Sequence, residues 1–150
     1  MEQTGHRQDW QVINKKMKIR IKYLRDIEHI SRISNGDWID LACAERVVML
    51  PGDYRVIPLG VAMELPEGYE AVIVPRSSTF LKYGILQANG MGVIDETYSG
   101  DKDEWCFPAF ATRRTVINKG DRICQFRLFA HQPHFDIEPV DTLGNPDRTT

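Results

Sequence analysis

The stretch YRVIPLGVAMELPEGYEAVIVP, Tyr54 to Pro75, decides how the chain folds. It holds two apolar runs parted by the turn LPEGYE, a pattern of short strands joined by tight connections. Pro58 lies inside the first run; lacking an N–H, it marks an edge or a bend rather than the middle of a ladder. Towards the C-terminus the theme repeats in GILQAN, GMGVID, WCFPAFAT, RTVI, RICQFRLF and HFDIEPV, with Gly, Asp, Asn and Lys between them. Towards the N-terminus, MKIRIKYL sets Met17, Ile19, Ile21 and Tyr23 against charged residues, as on a half-buried strand. IEHISRI, Ile27 to Ile33, has room for one or two helical turns before an SNGD turn. Many short strands without a long amphipathic helix predict an all-β sandwich or jelly roll.

A chain of 150 residues forms one domain with a sizeable core. Residues 1–16 are polar and aperiodic, a flexible extension. The β domain is expected over 17–140, and 141–150, with Gly144 and Pro146, as a mobile tail. Apolar content of 42%, charged content of 27% and a net charge of -2 describe an ordinary globular composition. That balance lacks the basic excess of a nucleic-acid or membrane surface, and no apolar run approaches the ~20 residues of a membrane span. Cys43, Cys106 and Cys124 are odd in number and widely spaced, so neither a disulfide scaffold nor a CxxC zinc site is indicated. With no signal peptide in view, a cytoplasmic location is expected.

Four stretches carry candidate chemistry. WIDLACA sets Asp40 inside an apolar strand, and VPRSSTF places Arg76, Ser77 and Ser78 directly after the YEAVIV strand. A guanidinium fork, two hydroxyls and free backbone N–H groups suit a phosphate, although a capped turn with a surface Arg reads equally simply. NGMGVIDETYSGD, Asn89 to Asp101, puts a lone carboxylate behind Val93-Ile94 with glycines on both sides. Asp95 there is either a general base or a turn residue accepting N–H bonds from Thr97 or Tyr98. Asn89 either matches a pyrimidine edge or fills a left-handed turn beside Gly90, and Gly92 either admits a ligand or relieves strand packing. Tyr98 is a ring for a sugar or a half-buried core aromatic. KGDRICQFRL carries Gln125 among apolar neighbours. His131 and His134 lack a third zinc ligand, while Asp101, Asp103 and Glu104 read as a solvated loop able at most to collect a cation. Neither a nucleophile motif nor a P-loop is present.

In this order and at this spacing, the four stretches resemble the motifs of the homotrimeric deoxyuridine triphosphatase (dUTPase) family, from about Met17 to the tail. NGMGVIDETYSG is the most specific: Asn, two residues, Gly-Val-Ile-Asp, two residues, Tyr, one residue, Gly. GVAMELPEGYEA resembles the phage and Gram-positive branch. The resemblance implies a jelly-roll (β-clip) fold, hydrolysis of dUTP to dUMP and pyrophosphate, Mg2+ as cofactor, and a homotrimer whose sites are shared between subunits. It implies that Asp95 activates water for attack on the α-phosphorus. Asn89 and the backbone of Gly92, Val93 and Ile94 would read the uracil edge, and Tyr98 would exclude a 2′-hydroxyl. Arg76, Ser77, Ser78 and Gln125 would hold the triphosphate, and Asp40 would touch magnesium through water.

Two stretches depart from the family pattern. Arg148 falls where a glycine-rich fifth motif would begin, but LGNPDRTT follows no such pattern; weaker turnover, or a nucleotide-binding regulator, is the corresponding expectation. The loop SGDKDEW after Tyr98 is longer than usual. The related deoxycytidine triphosphate deaminases need a catalytic Glu on the following strand, and CFPAFAT holds no acid.

Overall fold

A computed structural model describes residues 17–30 and 36–149. Its elements are strands β1 (Arg20–Tyr23), β2 (Ile39–Ala42), β3 (Val47–Met49), β4 (Tyr54–Pro58), β5 (Val61–Glu64) and β6 (Tyr69–Pro75). Helix α1 (Thr79–Tyr83) follows, then β7 (Ile85–Gln87), β8 (Gly92–Ile94), β9 (Cys106–Ala111), β10 (Thr115–Ile117) and β11 (Arg122–Ala130). Among the described residues, short strands and one brief helix form the β-jelly-roll expected from the sequence.

The largest sheet runs β2-β11-β6-β8, with every neighbouring pair antiparallel. A second sheet runs β4-β9-β7, and two pairs, β1-β5 and β10-β3, close the sides. Between them lies one core that includes Trp105, Phe107, Phe126, Leu41, Ile73 and Ile123. Trp105 is fully buried and meets Phe126 edge-on at 5.1 Å between ring centroids, the arrangement aromatic quadrupoles prefer. Cys43 and Cys124 are buried in the same core, and desolvation raises the Cys124 thiol well above its ordinary range.

The strand register positions the site. On β11, Arg122 lies opposite Ala42 while Cys124 lies opposite Leu41, so Ile123 is an extra residue, a bulge. Residues three apart on a regular strand face opposite ways. The bulge cancels that alternation and leaves Arg122 and Gln125 both opposite residues of the Asp40 face.

The first apolar run of the deciding stretch is split in two after Pro58, where an edge or a bend was expected. β4 ends at Pro58 on the edge of its sheet, and Gly60 turns the chain into β5 with φ +77. A Cβ on Gly60 would lie 2.9 Å from Ile27 Cδ1 and 3.1 Å from Ala44 Cβ, so glycine is required there twice over.

Three expectations are corrected. HFDIEPV forms no strand: beyond Ala130 every described residue is exposed and outside regular structure. Pro133 and Pro139 remove ladder donors, and Phe135, Ile137 and Val140 stay 63%, 85% and 53% exposed. The Ile27–Ile30 part of IEHISRI is not helical, and residues 31–35, like the N-terminal extension 1–16, lie outside the described residues. Of the alternating residues in MKIRIKYL only Ile19 and Tyr23 pack against the core, whereas Met17 and Ile21 are exposed.

Candidate active site

At the Pro75 end of β6, three separate stretches of sequence converge. Asp40 on β2 lies opposite Gln125 on β11, and Gln125 in turn lies opposite Val74 on β6. The Asp40 carboxylate, 13% exposed, lies 3.1 Å from Arg76 Nε and 3.5 Å from Arg122 Nη1. A charge this well covered is tolerated because two guanidinium groups face it. Arg76 Nη1 also donates to the Arg122 carbonyl at 3.4 Å, and Gln125 Nε2 to the Pro75 carbonyl at 3.3 Å. Arg76 is therefore a half-buried member of a charged cluster, not the surface Arg of a simple turn.

The turn after β6 is locked by a residue the sequence reading passed over. Buried Thr79 accepts the Arg76 N–H at 2.9 Å and donates its hydroxyl to the Ile123 carbonyl at 2.8 Å. Ser78 stands at the N-cap of α1 without a side-chain cap bond, so its hydroxyl and that of exposed Ser77 remain available to a ligand. Arg122 was also missed, because strand alternation places it away from Gln125 and only the bulge brings it back. The hydroxyl run Ser77-Ser78-Thr79 was the available signal for Thr79.

At the other end of β6 lies the second group. Gly92, Val93 and Ile94 pair with Ile73, Val72 and Ala71. β8 is the last strand of its sheet, so its outer edge presents unpaired backbone groups, suited to a flat hydrogen-bonding partner. Gly92 is buried, and a Cβ there would come within 3.2 Å of Ile73 and 3.3 Å of Gln87 Nε2, which makes strand packing its reason. Exposed Asn89 does not take the left-handed conformation; Gly90 does, with φ +71.

Asp95 forms the turn of its second sequence reading. Its Oδ1 accepts the Thr97 hydroxyl and the Thr97 N–H, each at 2.7 Å, and its carbonyl accepts the Tyr98 N–H at 3.0 Å. That turn presents the carboxylate, exposed within this chain, to a cavity of about 720 Å³ whose walls include Trp38, Val72, Val74, Met91 and Phe129. The Thr97 hydroxyl and then its N–H hold the Asp95 carboxyl below the usual range, with a smaller contribution from His131. Tyr98 is 40% exposed and donates to the Glu104 carbonyl at 3.1 Å; burial pushes its phenol up, so it remains a donor.

The two groups do not meet within one chain. Since Ile94 pairs with Ala71, Asp95 runs out beside Glu70, whereas Arg76 lies six residues on, about 20 Å of strand. Arg148 is exposed in the irregular C-terminal segment and makes no side-chain hydrogen bond or ion pair among the described residues. Among those residues no group of three or more His, Cys, Asp or Glu side chains is arranged to hold a metal ion. His131 lies 3.6 Å from Glu96, Asp103 accepts the Gly100 N–H, and Glu104 is held by Arg25 and Gly60. Nor does any helix among them have the length and apolarity to cross a membrane.

Comparison with known proteins places these features in context. The sequence profile of the dUTPase family matches residues 15–150. The chain is 56% identical over 133 residues to the SPbeta prophage-derived deoxyuridine 5'-triphosphate nucleotidohydrolase YosS of Bacillus subtilis, covering 88% of this chain and 94% of that protein. It is 37% identical to the deoxyuridine 5'-triphosphate nucleotidohydrolase of Hydrogenobaculum, over 88% of this chain and 92% of that one. Among solved structures, a mutant dUTPase from phage phi11 of S. aureus, described with a coordinated structural Mg(II) ion, superposes with a TM-score of 0.72. It is 19% identical and covers 85% of this chain and 99% of its own. A mutant dUTPase of Staphylococcus bacteriophage 80alpha with dUpNHpp gives 0.69 at 20% identity, over 89% and 94% of the two chains.

Proposed function

This chain belongs to the dUTPase family, and on that premise we propose that it hydrolyses dUTP to dUMP and pyrophosphate at sites completed by neighbouring copies. The convergence of Asp40, Arg76 and Gln125 at one corner carries the reading, because it suits phosphate and its one carboxylate, Asp40, already faces two arginines rather than a water. Asp95, at the opposite end of β6, is a base with no phosphate-binding neighbours. A reaction at phosphorus needs both. A second copy of the chain supplies the missing half, and a closed homotrimer satisfies that requirement for every site at once.

In such a composite site the outer edge of β8, with Asn89 at its entrance, pairs with the uracil edge. Tyr98 packs on the deoxyribose. Arg76, with the hydroxyls of Ser77 and Ser78 and the amide of Gln125, grips the phosphates, and Arg148 lies on the segment free to approach them. Asp95 takes a proton from the attacking water as its oxygen bonds to the α-phosphorus, and pyrophosphate departs with the electron pair of the broken bond. Magnesium, when bound to the substrate phosphates, neutralises charge on their oxygens. The donor set fits that mode of binding: both Asp40 oxygens already face arginines, leaving Asp40 a contact through water. The pool of free deoxynucleotides sets the place of action in the cytoplasm. Deamination has no support, since β9, Cys106–Ala111, carries no acid.

The test is nucleotide separation after incubation with magnesium and, in parallel, dUTP, dCTP, dTTP and UTP. Conversion of dUTP alone to dUMP is expected. Binding of dUTP without turnover would instead indicate a nucleotide-binding regulator, and loss of ammonia from dCTP would overturn the assignment.

A further inference from the structure

Tyr98 stands at the start of a loop whose far end is unusually well fixed. The Tyr98 hydroxyl donates to the carbonyl of Glu104, six residues on. The Glu104 carboxylate, 24% exposed, receives Arg25 Nε at 2.9 Å, Arg25 Nη2 at 3.1 Å and the Gly60 N–H at 3.0 Å. A forked guanidinium pair with an added backbone donor restricts a carboxylate far more than a single surface contact does.

Each anchor is itself held by the fold. Gly60 is the turn between β4 and β5, and its carbonyl accepts the N–H of Leu24, the residue before Arg25. Trp105, the residue after Glu104, is buried in the core, donates its N–H to Val61 and accepts that of Leu59. The loop between closes on itself through Gly100 and Asp103. Arg25 and Glu104 are 79 residues apart, and both lie outside the four motif stretches.

We propose that Arg25 and Glu104 are positioning residues that fix the Tyr98 ring against the sugar and so set the discrimination between dUTP and UTP. This rests on the reading that Tyr98 faces the deoxyribose. Rejecting a 2′-hydroxyl by packing requires a ring that cannot retreat. A phenol held only by its own exposed loop would yield to the extra oxygen by moving a fraction of an ångström. Tied to Glu104, and through it to Arg25 and Gly60, the ring has no such freedom.

The experiment uses the full chain and measures KM and kcat for dUTP together with the inhibition constant of UTP as competitor. Tyr98→Phe keeps the ring and loses the tether, while Arg25→Met keeps the ring and its hydroxyl but releases Glu104. Each is expected to reduce the UTP-to-dUTP discrimination about fivefold, the scale of one lost hydrogen bond, and in Arg25→Met kcat for dUTP should change much less. The double variant should lose little more than either alone, because both act on one tether. Arg25→Lys, which retains the charge without the fork, should recover part of the discrimination.

If Arg25→Met lowers thermal stability and weakens both nucleotides equally, the pair is structural and the proposal fails. Tyr98→Ala separates the underlying reading. Discrimination lost in Tyr98→Ala but intact in Arg25→Met and Tyr98→Phe refutes the tether alone. Discrimination intact in Tyr98→Ala refutes the sugar contact, and the tether with it.

Discussion

The two ends of β6 use the same strand for opposite purposes. At the Pro75 end, Asp40 faces Arg76 and Arg122, and Thr79 ties the Arg76 N–H to the Ile123 carbonyl, so their geometry is set when the chain folds. At the Tyr69 end, Asp95 makes its hydrogen bonds inside its own turn and otherwise faces an open cavity. Charged groups proposed to bind phosphate must be held near one another despite repulsion, and the shared Asp40 carboxylate does this. The general base proposed here, Asp95, needs the right direction and ionisation, which its two-residue turn provides. Shielding from water is the one requirement absent from this end within the chain, and a neighbouring copy can add it.

The sharpest way to break this comparison is to remove each half separately. Asp95→Asn keeps the shape of the turn but cannot take a proton, so kcat should fall about 10³-fold while dUTP affinity persists, the usual scale for a lost general base. Joint loss of folding and binding would recast Asp95 as structural. Arg76→Ala should be nearly inactive through weakened phosphate binding. If the halves are shared between copies, co-refolding equal amounts of these two variants should restore about a quarter of wild-type activity by random assortment. Persistent inactivity of the mixture would place both halves of a working site on one chain.

Smaller effects sharpen the contrast. Asp40→Ala leaves Arg76 and Arg122 facing each other without their carboxylate, and should destabilise the fold by about 1–2 kcal/mol in urea titration. An unchanged midpoint would mean that solvent screens the pair. The smallest effect belongs to Thr97→Val. The Thr97 hydroxyl lowers the Asp95 pKa, so its loss raises it, and the base is then protonated at higher pH. The acid limb of the kcat/KM profile should move upward while the plateau stays, and an unmoved limb would show that Asp95 is not the titrating group.

Much of this was legible in the sequence, and what escaped has identifiable causes. Alternation and turn residues predicted the strands from Tyr54 to Ala130, because each half-buried strand records its own facing in its residues. HFDIEPV alternates too, yet forms no strand, since alternation states only that a partner would be welcome. Asp40, Asp95 and Gln125 stood out as candidates because each is a polar residue in apolar surroundings, and Arg76 because two hydroxyl residues follow it at a strand end. Arg122 escaped because the extra residue Ile123 reverses the facing that a period of two predicts. The grip of Arg25 on Glu104 left no local trace: two exposed charges so far apart look like any others until the fold brings them together.

The buried thiol of Cys124 gives the molecule an internal clock. It sits on β11 one residue from Gln125, fully enclosed and with its ionisation suppressed, so alkylating reagents can reach it only when the β2-β11-β6 ladder parts. The rate of that modification therefore counts openings of the very strands that hold the Asp40, Arg76 and Gln125 corner. A nucleotide seated there should slow the count, without any catalytic turnover being needed to read it.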